Sequence, residues 1–301
     1  MFQLLISTLL TITLPNMPDS DGNNLETTRN LARTEANQLL DEVTVLKPSP
    51  YWPAIDPQLF IQNLRTNINF PDSIHQGNFT NFCGYAVATY LYAQYDPLGY
   101  TQNMLDLYKH GQTRLKNTST ITPSAEVRLV AGSLRGKGIL VKRPADQMWY
   151  LTLAASFRGF LNIFDRRFNR GDENGLWAAM ERSKMDKLIK SMFVGKVHGK
   201  GKGPIISSRT HIGDDIMQEL SQNGEVILYA DKTFKTKGKK RHYLPAHYLN
   251  IKTMEPRAGE YFIEYWDYGA VKTISLKKRV FERAARGYVI LQLDNLAYEK
   301  N

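Results

Sequence analysis

Cysteine is almost absent from this 301-residue chain, which contains one, Cys83. A single cysteine excludes an intrachain disulfide framework and a cysteine-rich zinc site. The six histidines do not occur in an HExxH motif or in a similar metal-ligand spacing. The glycine- and lysine-rich stretch 199–204 lacks the GxxxxGK[ST] order of a phosphate-binding loop. We therefore expect no metal and no cofactor, and the sequence argues against nucleotide use.

Long apolar runs are also missing, so we expect no transmembrane segment. The first 14 residues are uncharged and apolar, with interspersed Ser and Thr. They lack the basic start of a signal peptide, and no small-x-small cleavage pattern follows them. Two interpretations stay open for this region: a cleaved signal, or a flexible N-terminal arm over 1–20.

Basic residues are in excess, with 39 Lys and Arg against 29 Asp and Glu, which gives a formal net charge of +10. They concentrate in the segments 196–202 and 232–241. Charge runs of this kind are commonly solvated loop surface. The alternative is attraction to an acidic partner, such as a neutralising protein, a substrate or nucleic acid. Aromatic residues are not interleaved with the lysines and base-reading motifs are absent, which makes nucleic acid the weakest of these options.

Hydrophobic periodicity divides the chain into a helical first half and a second half of strands. The predicted helices cover 25–43, 57–68, 83–95, 97–110, 122–131, 144–158 and 173–193, and a further one begins at 214. The predicted strands cover 225–230, 246–253, 260–267, 271–276 and 287–293. Helices followed by antiparallel strands indicate an α+β fold. We predict a helical extension over 21–67 and a main domain over 68–295, with a helical insert at 133–212 that forms a lid or a substrate-recognition element.

Cys83 stands where a polar, turn-rich segment becomes an apolar helix. Unpaired N–H groups and the positive end of the helix dipole stabilise a thiolate at such a position and lower the pKa of the thiol. This placement is typical of a nucleophile. The alternative is a cysteine that serves as a small, buried apolar residue.

A histidine and an aspartate later in the chain favour the first interpretation. His247 stands at the start of an alternating strand, and Asp267 ends the next strand, just before a Tyr-Gly turn. A pair of adjacent strands can bring the two side chains together, so that the carboxylate orients the imidazole and stabilises its cation. Asn250 is an alternative for the third position.

The order of cysteine at a helix start, histidine at a strand start and Asp at the end of the next strand resembles the papain-like cysteine peptidase fold. The Cys-Gly step at 83–84 is similar to that of bacterial C39-like peptidases. The segments 76–84, 95–100 and 105–108 are similar to bacterial papain-like toxin or effector domains. The resemblance covers roughly 68–292. It implies a nucleophile helix packed on a C-terminal antiparallel sheet.

One position departs from the family pattern. Papain-like enzymes usually place a glutamine six residues before the cysteine, where its amide helps to form the oxyanion hole. That position is Gly77 here, with Gln76 before it and Asn78 after it. We favour Gln76 as the donor, with Asn78 as the alternative and the backbone N–H of Cys83 as the second donor.

The resemblance implies that Cys83 is the nucleophile, His247 the base and Asp267 the residue that orients it. The implied activity is hydrolysis of an amide bond, first of all in a protein or peptide substrate. The same triad serves deamidases, transglutaminases and peptidoglycan amidases. Resemblance to effector domains implies a secreted toxin that is delivered into a target cell and neutralised by an acidic immunity protein; otherwise the protein would be cytoplasmic.

A competing hypothesis treats the protein as a non-catalytic, papain-like binding module. In that case Cys83 would be a packed core thiol, and the basic surface would contact an acidic partner. The displaced glutamine favours this hypothesis, whereas the joint occurrence of cysteine, histidine and aspartate in this order favours the enzyme.

Overall fold

The computed structural model describes residues 20–43, 45–77, 80–117, 120–134, 143–158, 167–201, 211–238 and 245–293. The predicted arm over 1–20 lies outside this part of the chain, apart from residue 20. Within it, helices precede a six-stranded antiparallel sheet, which confirms the α+β class. None of the helices in these ranges is long and apolar enough to cross a membrane.

The helices of the described residues are α1 Ser20–Glu42, α2 Pro57–Asn69, α3 Cys83–Tyr95, α4 Pro97–His110, α5 Ala125–Val130, α6 Pro144–Phe157, α7 Arg182–Met192, α8 Ile212–Ser221 and α9 Lys278–Ala284. Two of them begin with the same local pattern. The carboxylates of Asp56 and Asp96 accept hydrogen bonds from the N–H groups of Leu59 and Gly99, at 2.8 and 3.0 Å. A proline in the first turn completes each start, because its missing N–H and fixed φ suit that position.

Several helix predictions were wrong in their bounds. The helix predicted over 173–193 begins only at Arg182, since 172–174 and 176–178 are short 3-10 turns separated by Gly175 in an extended conformation. The helix predicted over 122–131 begins at Ala125, after Ser124, whose hydroxyl oxygen accepts from the N–H of Val127 at 3.5 Å. Helix α9 was not predicted.

The strands are β1 Gly195–Gly201, β2 Glu225–Asp231, β3 Pro245–Arg257, β4 Glu260–Trp266, β5 Val271–Lys277 and β6 Ala285–Leu293. Their order in the sheet is β1-β6-β2-β3-β4-β5, and every neighbouring pair is antiparallel. Strands β3, β4 and β5 are consecutive hairpins, so the end of β4 lies beside the start of β3.

The segment 133–212, predicted as a helical insert, contributes to the common core. Strand β1 lies within it and pairs with β6 along its whole length. Helix α6 is buried over most of its residues and contacts α2, α3 and α7. Strand β1 and helix α6 of this segment belong to the sheet and to the helical layer, and the role of the segment as a lid or a substrate-recognition element stays a prediction.

The sheet is covered on both faces. Alternate residues of β2 enter two different hydrophobic clusters, as the two-residue period of a strand requires: Ile227 packs with α3 and its neighbours, and Val226 packs with α8 and α9. Helix α3 packs against β3 and is buried at every position except Cys83 and Gln94. It is therefore a central helix of the fold.

Candidate active site

Cys83 is the first residue of α3, and the glycine after it sets how closely that helix approaches β3. A Cβ at Gly84 would lie 3.0 Å from the Cε of Met185, 3.1 Å from the sulfur of Met180 and 3.2 Å from the ring of Tyr248. These distances are shorter than most Cβ contacts, so a larger residue at this position would require the neighbouring side chains to shift by a few tenths of an ångström. Since Tyr248 follows His247 in β3, the same close approach brings the cysteine to the histidine.

The turn after β4 presents Asp267. Tyr268 and Gly269 have φ values of 52° and 72°, and the N–H of Asp267 donates to the carbonyl oxygen of Ala270 at 2.9 Å. Two consecutive positive φ values are those of a type I′ hairpin turn, whose twist matches that of the strands. The turn places Asp267 at the mouth of the hairpin, next to the start of β3.

The histidine and the aspartate are in direct contact. The Nε2 atom of His247 lies 2.5 Å from Oδ1 of Asp267, and the two residues are 8% and 2% exposed. The side chain of Cys83 is close enough to His247 for each of the two groups to shift the pKa of the other. Because Asp267 occupies Nε2, the nitrogen left for the cysteine is Nδ1. The structure thus brings Cys83, His247 and Asp267 into one chain of contacts.

The three groups shift each other's pKa values. Burial would raise the pKa of Cys83, but the hydrogen bond and charge of His247, with the backbone N–H groups of Tyr248 and Gly84, lower it. Burial would lower the pKa of His247, but its bonds to Asp267 and Cys83 raise it. The pKa of Asp267 falls to about 2 despite burial, because His247 and Lys235 stabilise its charge.

These opposite shifts favour a thiolate beside an imidazolium over a neutral pair. An imidazolium within hydrogen-bond reach of a cysteine is the environment that makes a thiol reactive at neutral pH. As a whole residue, Cys83 is only partly buried.

Gln76 lies in the segment that leads into α3. Its side chain is 2% exposed, and Nε2 has no hydrogen-bond partner among the described residues. A buried amide without a partner is uncommon and is often tied to a functional site. Gly77 has φ 86°, and the Thr80 hydroxyl donates to the carbonyl oxygens of Gln76 and Gly77, at 2.7 and 3.2 Å. Asn78, the alternative donor, lies outside the described residues.

Aromatic and histidine rings support the imidazole. The ring of Tyr268 stacks on that of His247, with centroids 5.1 Å apart and planes 8° from parallel. His75 lies 5.5 Å from Tyr268 on centroids, and its Nδ1 accepts from the N–H of Gly77 at 2.8 Å. Burial, with the charges of Arg143 and Lys272, lowers the pKa of His75, which therefore stays neutral at neutral pH. Tyr268 was not singled out from the sequence.

Asn250, the alternative third residue, points elsewhere. Its Nδ2 donates to Oε2 of Glu225 and to the carbonyl oxygen of Val226, both at 3.1 Å. Its place in β3, three residues beyond His247, separates it from the imidazole. Asp267 is therefore the carboxylate or amide group that contacts the histidine.

Two lysines that the sequence did not indicate lie at the same carboxylate. The Nζ atom of Lys235 is 2.8 Å from Oδ2 of Asp267, and that of Lys272 is 3.6 Å from it. Both ammonium groups also lie over the ring of Tyr268, at 4.3 and 5.4 Å from its centroid. Lys235 belongs to the basic segment 232–241, which sequence analysis treated as solvated surface or as a contact for an acidic partner.

In the part of the chain that the structure describes, no group of three or more His, Cys, Asp or Glu side chains is arranged to hold a metal ion. No protein-family model matches this chain, and no curated protein matches it. The function is therefore argued from the geometry of Cys83, His247, Asp267 and Gln76.

Proposed function

We propose that this protein is a papain-like cysteine hydrolase that cleaves an amide bond, with Cys83 as nucleophile, His247 as acid and base, and Asp267 as the group that orients the imidazole. The observation that carries the proposal is the contact between His247 and Asp267 beside Cys83, the first residue of α3. The lowered pKa of Cys83 and the raised pKa of His247 are consistent with it. The packing of the nucleophile helix α3 on the antiparallel sheet supports the papain-like architecture.

In the first half of the reaction, the thiolate of Cys83 attacks the carbonyl carbon of the amide. As the carbon–sulfur bond forms, the carbonyl π electrons move to oxygen. The Gln76 amide and the backbone N–H of Cys83 donate to that oxyanion. Nδ1 of His247 then gives its proton to the amide nitrogen as the carbon–nitrogen bond breaks, and a thioester and a free amine result.

In the second half, neutral His247 removes a proton from water, which attacks the thioester carbon. Collapse of this second oxyanion expels the Cys83 thiolate and leaves a carboxylic acid. An amine in place of water would give acyl transfer, and a glutamine side chain in place of a peptide would give deamidation. Of these reactions we propose proteolysis, and the others are the alternatives that the same residues can carry out.

We further propose that the substrate is a protein in a target cell and that the protein acts there as a delivered toxin. The local similarity of 76–84 to toxin and effector domains supports this setting. The net charge of +10 supports an acidic immunity protein as its partner, because opposite net charges accelerate and stabilise association.

The test is controlled expression in bacteria of the wild-type chain, of Cys83→Ala and of His247→Ala. We expect growth inhibition by the wild type, and normal growth with either variant at equal protein levels. Equal inhibition by all three would contradict the catalytic account and would instead support the non-catalytic binding module. Inhibition that requires export to the periplasm would support the alternative of a peptidoglycan amidase.

A further inference from the structure

Lys235 adds a fourth residue to the candidate site, because its ammonium group lies at the far side of Asp267 from His247. Oδ1 of Asp267 is occupied by His247, and Oδ2 lies 2.8 Å from the ammonium nitrogen of Lys235. The carboxylate is buried, whereas the side chain of Lys235 is 38% exposed. A buried carboxylate with both oxygens engaged has one orientation, and an imidazole bonded to it has one as well.

The turn that carries Lys235 is held in place independently of the site. The buried carboxylate of Asp231 accepts from the N–H of Thr233 at 2.7 Å through one oxygen, and from the guanidinium of Arg286 at 2.7 and 3.0 Å through the other. The next residue, Phe234, is buried and packs edge-on against Tyr265 at 5.4 Å. These contacts hold the backbone at Lys235 without the ion pair between its ammonium group and Asp267.

Lys272 has the same charge and a similar exposure but a different geometry. Its nitrogen lies 3.6 Å from Oδ2 of Asp267, beyond hydrogen-bond distance, and it projects from β5 rather than from the anchored turn. Lys235, which bonds the carboxylate, can therefore be compared directly with Lys272, which only lies near it.

We propose that Lys235 is a positioning residue of the site: it fixes the Asp267 carboxylate and, through it, the ring of His247. This inference rests on the proposed function. Several elements contribute titratable groups that interact with Asp267. They are His75, His247 of β3, Tyr265 of β4, Tyr268, Lys235 and Lys272 of β5.

Loss of Lys235 leaves Oδ2 buried without its donor, so the carboxylate becomes a weaker acid and a looser partner for the imidazole. The imidazolium of His247 is then stabilised less, so it holds the pKa of the Cys83 thiol down less strongly, and the thiolate takes up its proton at a higher pH on acidification. An opposite charge at this distance lowers a carboxyl pKa by about 1–3 units. At Asp267, His247 and Lys235 contribute to this lowering together. We expect the acid limb of Cys83 reactivity to move up by about one pH unit.

The experiment measures the rate of Cys83 alkylation by iodoacetamide between pH 4 and 9, read by intact mass, on the full chain. The proteins are the wild type, Lys235→Met, Lys235→Arg and the matched control Lys272→Met. We expect the acid limb to move in Lys235→Met, to return in Lys235→Arg, and to move by less than half as much in Lys272→Met. A structural role alone would lower the thermal midpoint without moving this limb.

Equal shifts in Lys235→Met and Lys272→Met would show a general charge effect and overturn the proposal, as would a wild-type profile in Lys235→Met. Should Lys235→Met unfold, Lys235→Gln takes its place with the same two outcomes. A wild-type protein that is alkylated only near pH ~8.5, the value for an ordinary thiol, would refute the proposed function itself, and with it the premise of this inference.

Discussion

Asp267 keeps its negative charge in a buried position, and that property can be tested directly by acidification. The carboxylate is 2% exposed, and burial alone would raise its pKa. The hydrogen bond and charge of His247, together with Lys235, instead lower the pKa to about 2 from an ordinary value of 3.8. Asp267 should therefore remain ionised at a pH where exposed Asp side chains are mostly protonated.

The size of the effect follows from the two pKa values. At about 1.4 kcal/mol per pKa unit, the difference contributes about 2–3 kcal/mol to the free energy of unfolding at neutral pH. Because the folded-state pKa is the lower one, this stability is present above pH ~4–5 and is lost as the pH falls towards 2. At pH 3, a carboxyl group with a pKa of 2 is about 90% ionised, and one with a pKa of 3.8 is about 15% ionised.

The assay is the pH titration of the Asp carboxyl carbon resonances by NMR, with Asp267→Asn to identify the signal of Asp267. We expect that signal to keep the shift of the ionised form down to pH 3, while exposed Asp residues titrate near their ordinary value. A resonance that titrates at 3.8 or above would refute the reasoning, because it would mean that neither His247 nor Lys235 stabilises the carboxylate.

Two further substitutions separate packing from chemistry. Gly84→Ala adds a Cβ within 3.2 Å of Met185 and its neighbours. Overpacking costs about 1–3 kcal/mol and the higher helix propensity of Ala returns at most about 1 kcal/mol, so urea unfolding should show a less stable protein. Unchanged stability would contradict the close packing of α3. Gln76→Ala removes a buried amide without a partner, so we expect a nearly unchanged free energy of unfolding. The rate of amide hydrolysis should fall about 100-fold, and growth inhibition should be lost with it. Full toxicity of this variant would show that Gln76 is not a donor of the oxyanion hole.

The fold could be predicted from the sequence where the determinants are local. Asp-Pro pairs start α2 and α4 because the cap and the proline act within one turn of the helix. Strand β1 could not be predicted, since its glycines and lysines have low strand propensity and it exists through its pairing with β6. Helix α9 has seven residues, too few for a clear period.

Some residues of the candidate site could likewise be predicted from local sequence, and others could not. Cys83 and the turn after Asp267 have local signatures, namely a loop-to-helix step and a Tyr-Gly pair with positive φ. Lys235 has none, because it is one of several basic residues in the segment 232–241, and only the tertiary fold brings it to Asp267. Tyr268 is similar: an ordinary turn residue in the sequence, it becomes the stacking partner of His247 once the hairpin forms.

The most direct test of the central claim is the pH dependence of iodoacetamide alkylation of the folded wild-type protein, beside His247→Ala. The single cysteine gives one thiol to follow by intact mass. A thiolate–imidazolium pair predicts rapid labelling near pH 6 that the His247 substitution slows. Labelling only near pH ~8.5, or only after denaturation, would contradict the account and identify Cys83 as a structural residue.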